Sequence, residues 1–149
     1  MIEIERKFLV KDEIREVLKY LEPKSIRQGY LMDENGQTVR VRTKSDKGFL
    51  TIKGKATGIS RTEFEYEIPF EDAINLLDHF CKWELSKDRY AIQVAGKTWD
   101  VDVFHGRHEG LILAEIELED ENEAFEHPNW LLEEVSHNAR YYNSNLVKE

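Results

Sequence analysis

From residue 2 to residue 10 the chain alternates, with Ile2, Ile4 and Phe8 on one side of a strand and Glu3, Glu5 and Lys7 on the other. The same period of two returns at about 25–32, 37–44, 48–55, 61–68, 84–94, 97–104 and 110–119, which predicts eight strands. Asn35-Gly36, within the Asp33–Gly36 segment, reads as a tight hairpin turn. Ser45-Asp46-Lys47-Gly48 and Ala95-Gly96 join two further strand pairs. Helical spacing occurs twice. Ile14, Val17, Leu18 and Leu21 predict a helix over 12–22 that Pro23 ends. Ala73, Ile74, Leu77 and Cys81 predict another over 70–81, after a strand that stops at Pro69. Beyond Pro128 the pattern predicts a short helical stretch near 129–134 and a terminal helix after Ala139.

No repeat, low-complexity tract or linker interrupts this order, and strands do not alternate with helices as βαβ units would. The expected class is α+β. Eight antiparallel strands can close into a barrel that leaves no free edge, with the helices packed outside.

The polar side of the strands is unusual for a solvent face. Arg40 and Arg42 oppose Val39 and Val41; Thr51, Lys53 and Lys55 oppose Leu50 and Ile52. Arg61, Glu63, Glu65 and Glu67 oppose Phe64, Tyr66 and Ile68, while Lys87 and Arg89 oppose Tyr90. Asp100 and Asp102 oppose Trp99, Val101 and Val103, and Glu115 and Glu117 oppose Ala114, Ile116 and Leu118. One strand of this kind is an ordinary half-exposed strand. Seven of them, with acids and bases clustered at strand centres, point elsewhere. If the helices cover the apolar side, the charged side becomes the barrel lumen. Such a lumen cannot be a dry core, because unpaired buried charge is too costly. It should be wet and hold a polyanion together with metal ions.

Composition narrows the classes. The 149 residues fit a single domain, 1–149, long enough to enclose a core. Charged residues make up 34% against an ordinary level of about 25%, and the net charge is −9. That balance argues against a nucleic-acid backbone binder. No apolar run is long enough to span a bilayer, so no membrane partner is expected. The opening MIEIERKFLV lacks the pattern of a signal peptide, and the lone Cys81 suits a reducing compartment. A cytoplasmic location is expected. His105 and His108 lie in a glycine-flanked turn without a third ligand, Cys81 has no basic partner, and Trp83, Trp99 and Trp130 read as packing residues.

Taken in order, Glu3-Ile4-Glu5-Arg6-Lys7, VRVRTK at 39–44, LTIKG at 50–54, RTEFEYEIP at 61–69, KDRY at 87–90, WDVDVF at 99–104 and LAEIELE at 113–119 carry a family signature. With its ExExK opening, the sequence resembles the CYTH, or triphosphate tunnel metalloenzyme, superfamily, in its short single-domain bacterial form. The resemblance implies an eight-stranded antiparallel tunnel that binds triphosphate and a divalent cation. By position it implies that Lys7, Arg40, Arg42, Lys53, Arg61, Lys87 and Arg89 hold phosphate oxygens. Glu3, Glu5, Glu115 and Glu117, with Asp102, would stand on the metal side, and all-oxygen ligation suits Mg²⁺ or Mn²⁺. Glu63 and Glu65 are candidate catalytic carboxylates. Tyr30, after Gln28-Gly29, sits where short relatives carry a proposed proton acceptor. A phenol ordinarily titrates near pH 10, so the alternative that Tyr30 only walls the tunnel mouth stays open.

The implied activity is divalent-metal-dependent hydrolysis of a triphosphate-containing small molecule, inorganic tripolyphosphate first. Alternatives are a class IV-type adenylate cyclase, a thiamine triphosphatase, or a noncatalytic polyphosphate- or nucleotide-binding module. Either a monomer or a homodimer is compatible. The C-terminal segment, through Tyr141, Tyr142 and Leu146, is a candidate to close one tunnel end.

Overall fold

The computed structural model describes residues 1–148. Nine strands form one antiparallel sheet: β1 (Ile2–Val10), β2 (Lys24–Glu34), β3 (Gln37–Lys44), β4 (Lys47–Lys53), β5 (Ser60–Ile68), β6 (Glu84–Val94), β7 (Lys97–Phe104), β8 (Ile112–Leu118) and β9 (Leu131–Glu134). Eight of them close on themselves in the circuit β1-β5-β4-β3-β2-β6-β7-β8-β1. The barrel expected from the alternation is therefore present. Asn35 and Gly36 both have positive φ, 53° and 79°, as the β2–β3 hairpin turn requires.

The expected short helix near 129–134 is instead a strand. β5 covers the edge of β1 only at Ile2–Ile4, so the far half of that edge would be left unpaired. β9 takes it, pairing Phe8 with Glu134 and Val10 with Leu131. The first helix is also shorter than its spacing suggests. Of the α-helices among the described residues, α1 covers only Ile14–Leu18, α2 covers Phe70–His79 and α3 covers Asn143–Leu146. Ile14 and Leu18, one turn apart, are buried, but Val17 and Leu21 are left exposed.

Apolar outward faces are covered by different layers. Phe8, Ile92, Trp99, Val101, Ala114 and Ile116 pack under α1 and the segment after β8. Trp99 is fully buried, with Phe8, Phe125 and Trp130 edge-on to it at centroid distances of 5.4–5.7 Å. On the other side α2 sets Ala73 and Leu77 against Val41. The approach is so close that a Cβ at Gly48 would lie 2.7 Å from that of Ala73. The cover is not complete, since Ile52, Phe64 and Tyr66 remain exposed on the outside of β4 and β5. No helix among the described residues is long and apolar enough to cross a membrane.

Candidate active site

The inward faces of the strands change character along the barrel. On β1 the sequence inward is Glu3, Glu5, Lys7, then Leu9; on β8 it runs Glu117, Glu115, then Leu113. β6 goes from Arg89 and Lys87 to Leu85, and β7 from Asp100 and Asp102 to Phe104. One end of the lumen is thus apolar. There Leu146 and Val147 of the C-terminal segment, buried to 2% and 0% exposure, pack with Tyr30, Leu85, Phe104 and Leu113. The barrel is a well with a floor, open at the opposite mouth.

Polar contacts fix that floor to the walls. Lys7 Nζ donates to the Tyr141 carbonyl at 3.0 Å, and Lys87 Nζ donates to Asn143 Oδ1 at 3.2 Å. Arg107 donates to the Val147 carbonyl, and His108 bonds the Leu146 carbonyl at 2.7 Å. The His105–His108 pair is therefore split: His108 holds the floor and His105 lies 3.0 Å from Asp88.

Above the floor a cavity of about 220 Å³ gathers Glu3, Glu5, Arg40, Arg42, Lys53, Glu63, Glu65, Lys87, Arg89, Glu115 and Glu117. Lys7, Arg61 and Tyr30 line a smaller recess joined to it. Asp102 lies behind the cavity surface, and of the other charged-side positions Thr51 is buried in the wall while Lys55 and Glu67 are exposed outside the cavity. Asp102 is wholly buried, with one oxygen 2.8 Å from Lys87 Nζ and both accepting from Arg89 at 2.7 and 2.8 Å.

The charges are sorted by strand. Carboxylates line the arc β7-β8-β1, where β1 also carries Lys7; cations line β4, β3 and β6; and β5 carries Glu63 and Glu65 with Arg61. On the acidic arc Glu5 pairs directly opposite Glu117, and Asp100 opposite Glu115. Burial, then Glu115 and Glu3, push the Glu5 carboxyl up to about 8. Burial together with Glu3 and Asp100 raises Glu117, and burial raises Glu3 although Lys53 stands 3.0 Å away. Glu115 behaves oppositely. Burial would raise it, but Lys7, Arg89 and Lys87 outweigh that and hold it well below the usual carboxylate range. Asp102 is also held low by Lys87 and Arg89 against its burial.

On the basic arc two guanidiniums share one carboxylate. Glu65 Oε2 lies 3.3 Å from Arg42 and 3.6 Å from Arg40, and it also accepts from Thr51 Oγ1 at 2.7 Å. Arg40 Nε and Arg42 Nε are buried without a hydrogen-bond partner. Burial, then Arg40 and Arg89, lower Arg42 to about 10. Burial likewise brings Lys87 down to about 8 in spite of Asp102. Glu63 pairs with Lys53 at 3.3 Å, and Gln28 donates to the Tyr30 hydroxyl at 3.5 Å. No three acidic, histidine or cysteine side chains among the described residues are already gathered as a ligand set.

Lys44, Asp100 and Asn143 also line the cavity, and Tyr142 and Ser144 line the recess. Strand parity places Lys44 and Asp100 on the charged side. Asn143, Tyr142 and Ser144 belong to a segment without periodicity, where the sequence gives no comparable signal.

The molecule is a closed antiparallel barrel whose lumen is lined by charged side chains of both signs. The chain belongs to the CYTH family, whose domain profile matches residues 1–148. It is 49% identical over 148 residues to the inorganic triphosphatase of Acetivibrio thermocellus, covering 98% of this chain and 93% of that one. The inorganic triphosphatase of Nitrosomonas europaea is 34% identical over 155 residues, with 99% and 97% covered. A crystal structure of an inorganic triphosphatase superposes at a TM-score of 0.67, with 31% identity, 99% of this chain and 95% of that chain covered.

Proposed function

We propose that the protein is an inorganic triphosphatase that hydrolyses tripolyphosphate in the barrel lumen with a divalent cation. The observation that carries this reading is the sorting of lumen charge into two under-compensated walls. Arg40 and Arg42 share Glu65 and keep buried, unpartnered Nε donors. Such donors suit the oxygens of a polyanion. The opposite wall sets Glu5 against Glu117, which no anion would relieve. The full-length relatives named inorganic triphosphatase support the same reading.

The acidic wall fits a hard cation. Its donors are carboxylate oxygens, and burial together with neighbouring carboxylates raises Glu5 and Glu117 in spite of Lys53. Glu3, Glu5, Glu115 and Glu117 would hold Mg²⁺ or Mn²⁺. When bound, the ion would neutralise phosphate oxygens and strengthen the electrophilic character of phosphorus.

The chain's own residues do the rest by positioning and electrostatics. Arg40, Arg42, Lys53 and Arg89 orient the triphosphate along the lumen, with Lys87, Lys7 and Arg61 around its inner end. Asp102 keeps Lys87 and Arg89 apart and aimed, as a positioning residue. Glu65 and Glu63 space the cations and are exchanged for phosphate oxygens on binding. Tyr30, which lines the recess at the floor, would hydrogen-bond the innermost phosphoryl group or its attacking water.

A panel of tripolyphosphate, ATP and thiamine triphosphate, each with Mg²⁺ or Mn²⁺ and scored for phosphate and cyclic AMP, tests the proposal. Tripolyphosphate should be the preferred substrate with phosphate as product. Cyclic AMP as the main product, or tight binding without turnover, would overturn it.

A further inference from the structure

The barrel wall is incomplete beside β1. β5 pairs with it at Ile2–Ile4 and β9 at Phe8 and Val10. Between these ladders the edge is bridged by isolated contacts. The Glu5 amide donates to the Ile59 carbonyl at 3.3 Å, and the Lys7 amide donates to the Ser136 hydroxyl at 2.9 Å. Beside them lies a cavity of about 40 Å³, lined by Glu5, Lys7, Arg61, Ala56, Ile59 and Ser136 among others. The recess above the floor, about 50 Å³, shares Glu5, Lys7, Arg61 and Tyr142 with it. It joins the main cavity through Glu5, Arg40, Lys53 and Asn143. A water needs roughly 10–15 Å³ of such space and a few polar partners, so both spaces are sized and lined for water.

We propose that this side opening is the route by which hydrolytic water reaches the innermost phosphoryl group. The inference rests on the triphosphatase reading. A triphosphate lying in the main cavity blocks the open mouth, and Leu146 and Val147 seal the other end against Leu85, Phe104 and Leu113. In-line displacement requires water on the side of phosphorus away from the leaving oxygen. That side faces the floor, where the recess and the side opening meet. The water oxygen forms the new bond to phosphorus, and the bridging P–O bond breaks with its electron pair leaving on diphosphate. The water's proton passes outward along the water in the opening, and orthophosphate remains.

Ala56→Trp and Ile59→Trp obstruct the opening, whereas Ile59→Ala widens it. Neither position belongs to the phosphate or metal sets. Steady-state hydrolysis of tripolyphosphate with Mg²⁺ is measured beside calorimetric binding of imidotriphosphate, which resists cleavage. Ala56→Trp should lower kcat by at least about tenfold with Kd within about twofold of wild type, and Ile59→Ala should keep its kcat. A folded Ala56→Trp with wild-type kcat overturns the route, as does a loss of binding that matches the loss of kcat. If Ala56→Trp fails to fold, Ile59→Trp carries the same two outcomes. Wild-type protein inactive on every triphosphate would remove the underlying reading. Active wild type with indifferent blocking variants removes only the water route.

Discussion

Glu5 and Glu117 stand directly opposite each other on β1 and β8, both facing the lumen. Burial, then the neighbouring carboxylates of Glu115 and Glu3, push Glu5 up to about 8. A carboxyl so held is a stability defect that a bound cation would relieve. Glu5→Gln should therefore raise the stability of the metal-free protein at pH 8 by about 1–3 kcal/mol, read as a higher Tm by calorimetry. The same variant should lose at least about tenfold in metal-supported turnover. A variant that is neither more stable nor less active would show that Glu5 has no such role.

Asp102 separates two explanations of the acidic residues. As a fully buried partner of Lys87 and Arg89, its change to Asn strands both cations and should cost about 3–5 kcal/mol. The metal concentration giving half-maximal rate should stay unchanged in the folded fraction. A shifted metal requirement with intact stability would make Asp102 a ligand instead.

Stability against pH should fall in an unusual window. Glu5, Glu3, Glu117 and Asp100 are all raised, so the folded state holds protons that the unfolded chain has released above about pH 4.5. Their contribution is present below that pH and is lost as pH rises, for Glu5 through about 8. Glu115 and Asp102 have the opposite sign and lose stability only on acidification below about pH 4.5. Metal-free protein should thus show a Tm that declines from about pH 5 to 8, with Mg²⁺ flattening the decline. A rising Tm over that range without metal would contradict these protonation states.

The sealed end of the lumen restricts substrates by their termini. With Leu146 and Val147 buried in the floor, a triphosphate must present one unsubstituted end inward. A triphosphate esterified at both ends should be hydrolysed at less than about one-hundredth of the tripolyphosphate rate. Comparable rates would mean that the floor opens.

Period-two alternation made the barrel and nearly all of the lumen legible, because parity alone decides which side of a strand a residue takes. Lys7, Arg42 and Glu115 are where that rule puts them. Parity fails where depth matters. Asp100 and Asp102 share a face, yet the first lines the cavity and the second is spent behind it on Lys87 and Arg89. The tail was less readable for another reason. Leu131–Glu134 becomes a strand only because β5 leaves part of β1 unpaired, and Asn143 reaches Lys87 only once the floor is in place. Both are consequences of closure, which local spacing does not encode.

The most direct test of the two-wall lumen is the rate of tripolyphosphate hydrolysis against Mg²⁺ concentration for Glu117→Gln, with Arg42→Gln as the opposite-wall comparison. Glu117→Gln should turn over at least about tenfold more slowly and recover part of its rate at higher Mg²⁺, while Arg42→Gln should need more substrate with little change in metal requirement. Wild-type turnover and metal dependence in Glu117→Gln would contradict a cation-holding acidic wall.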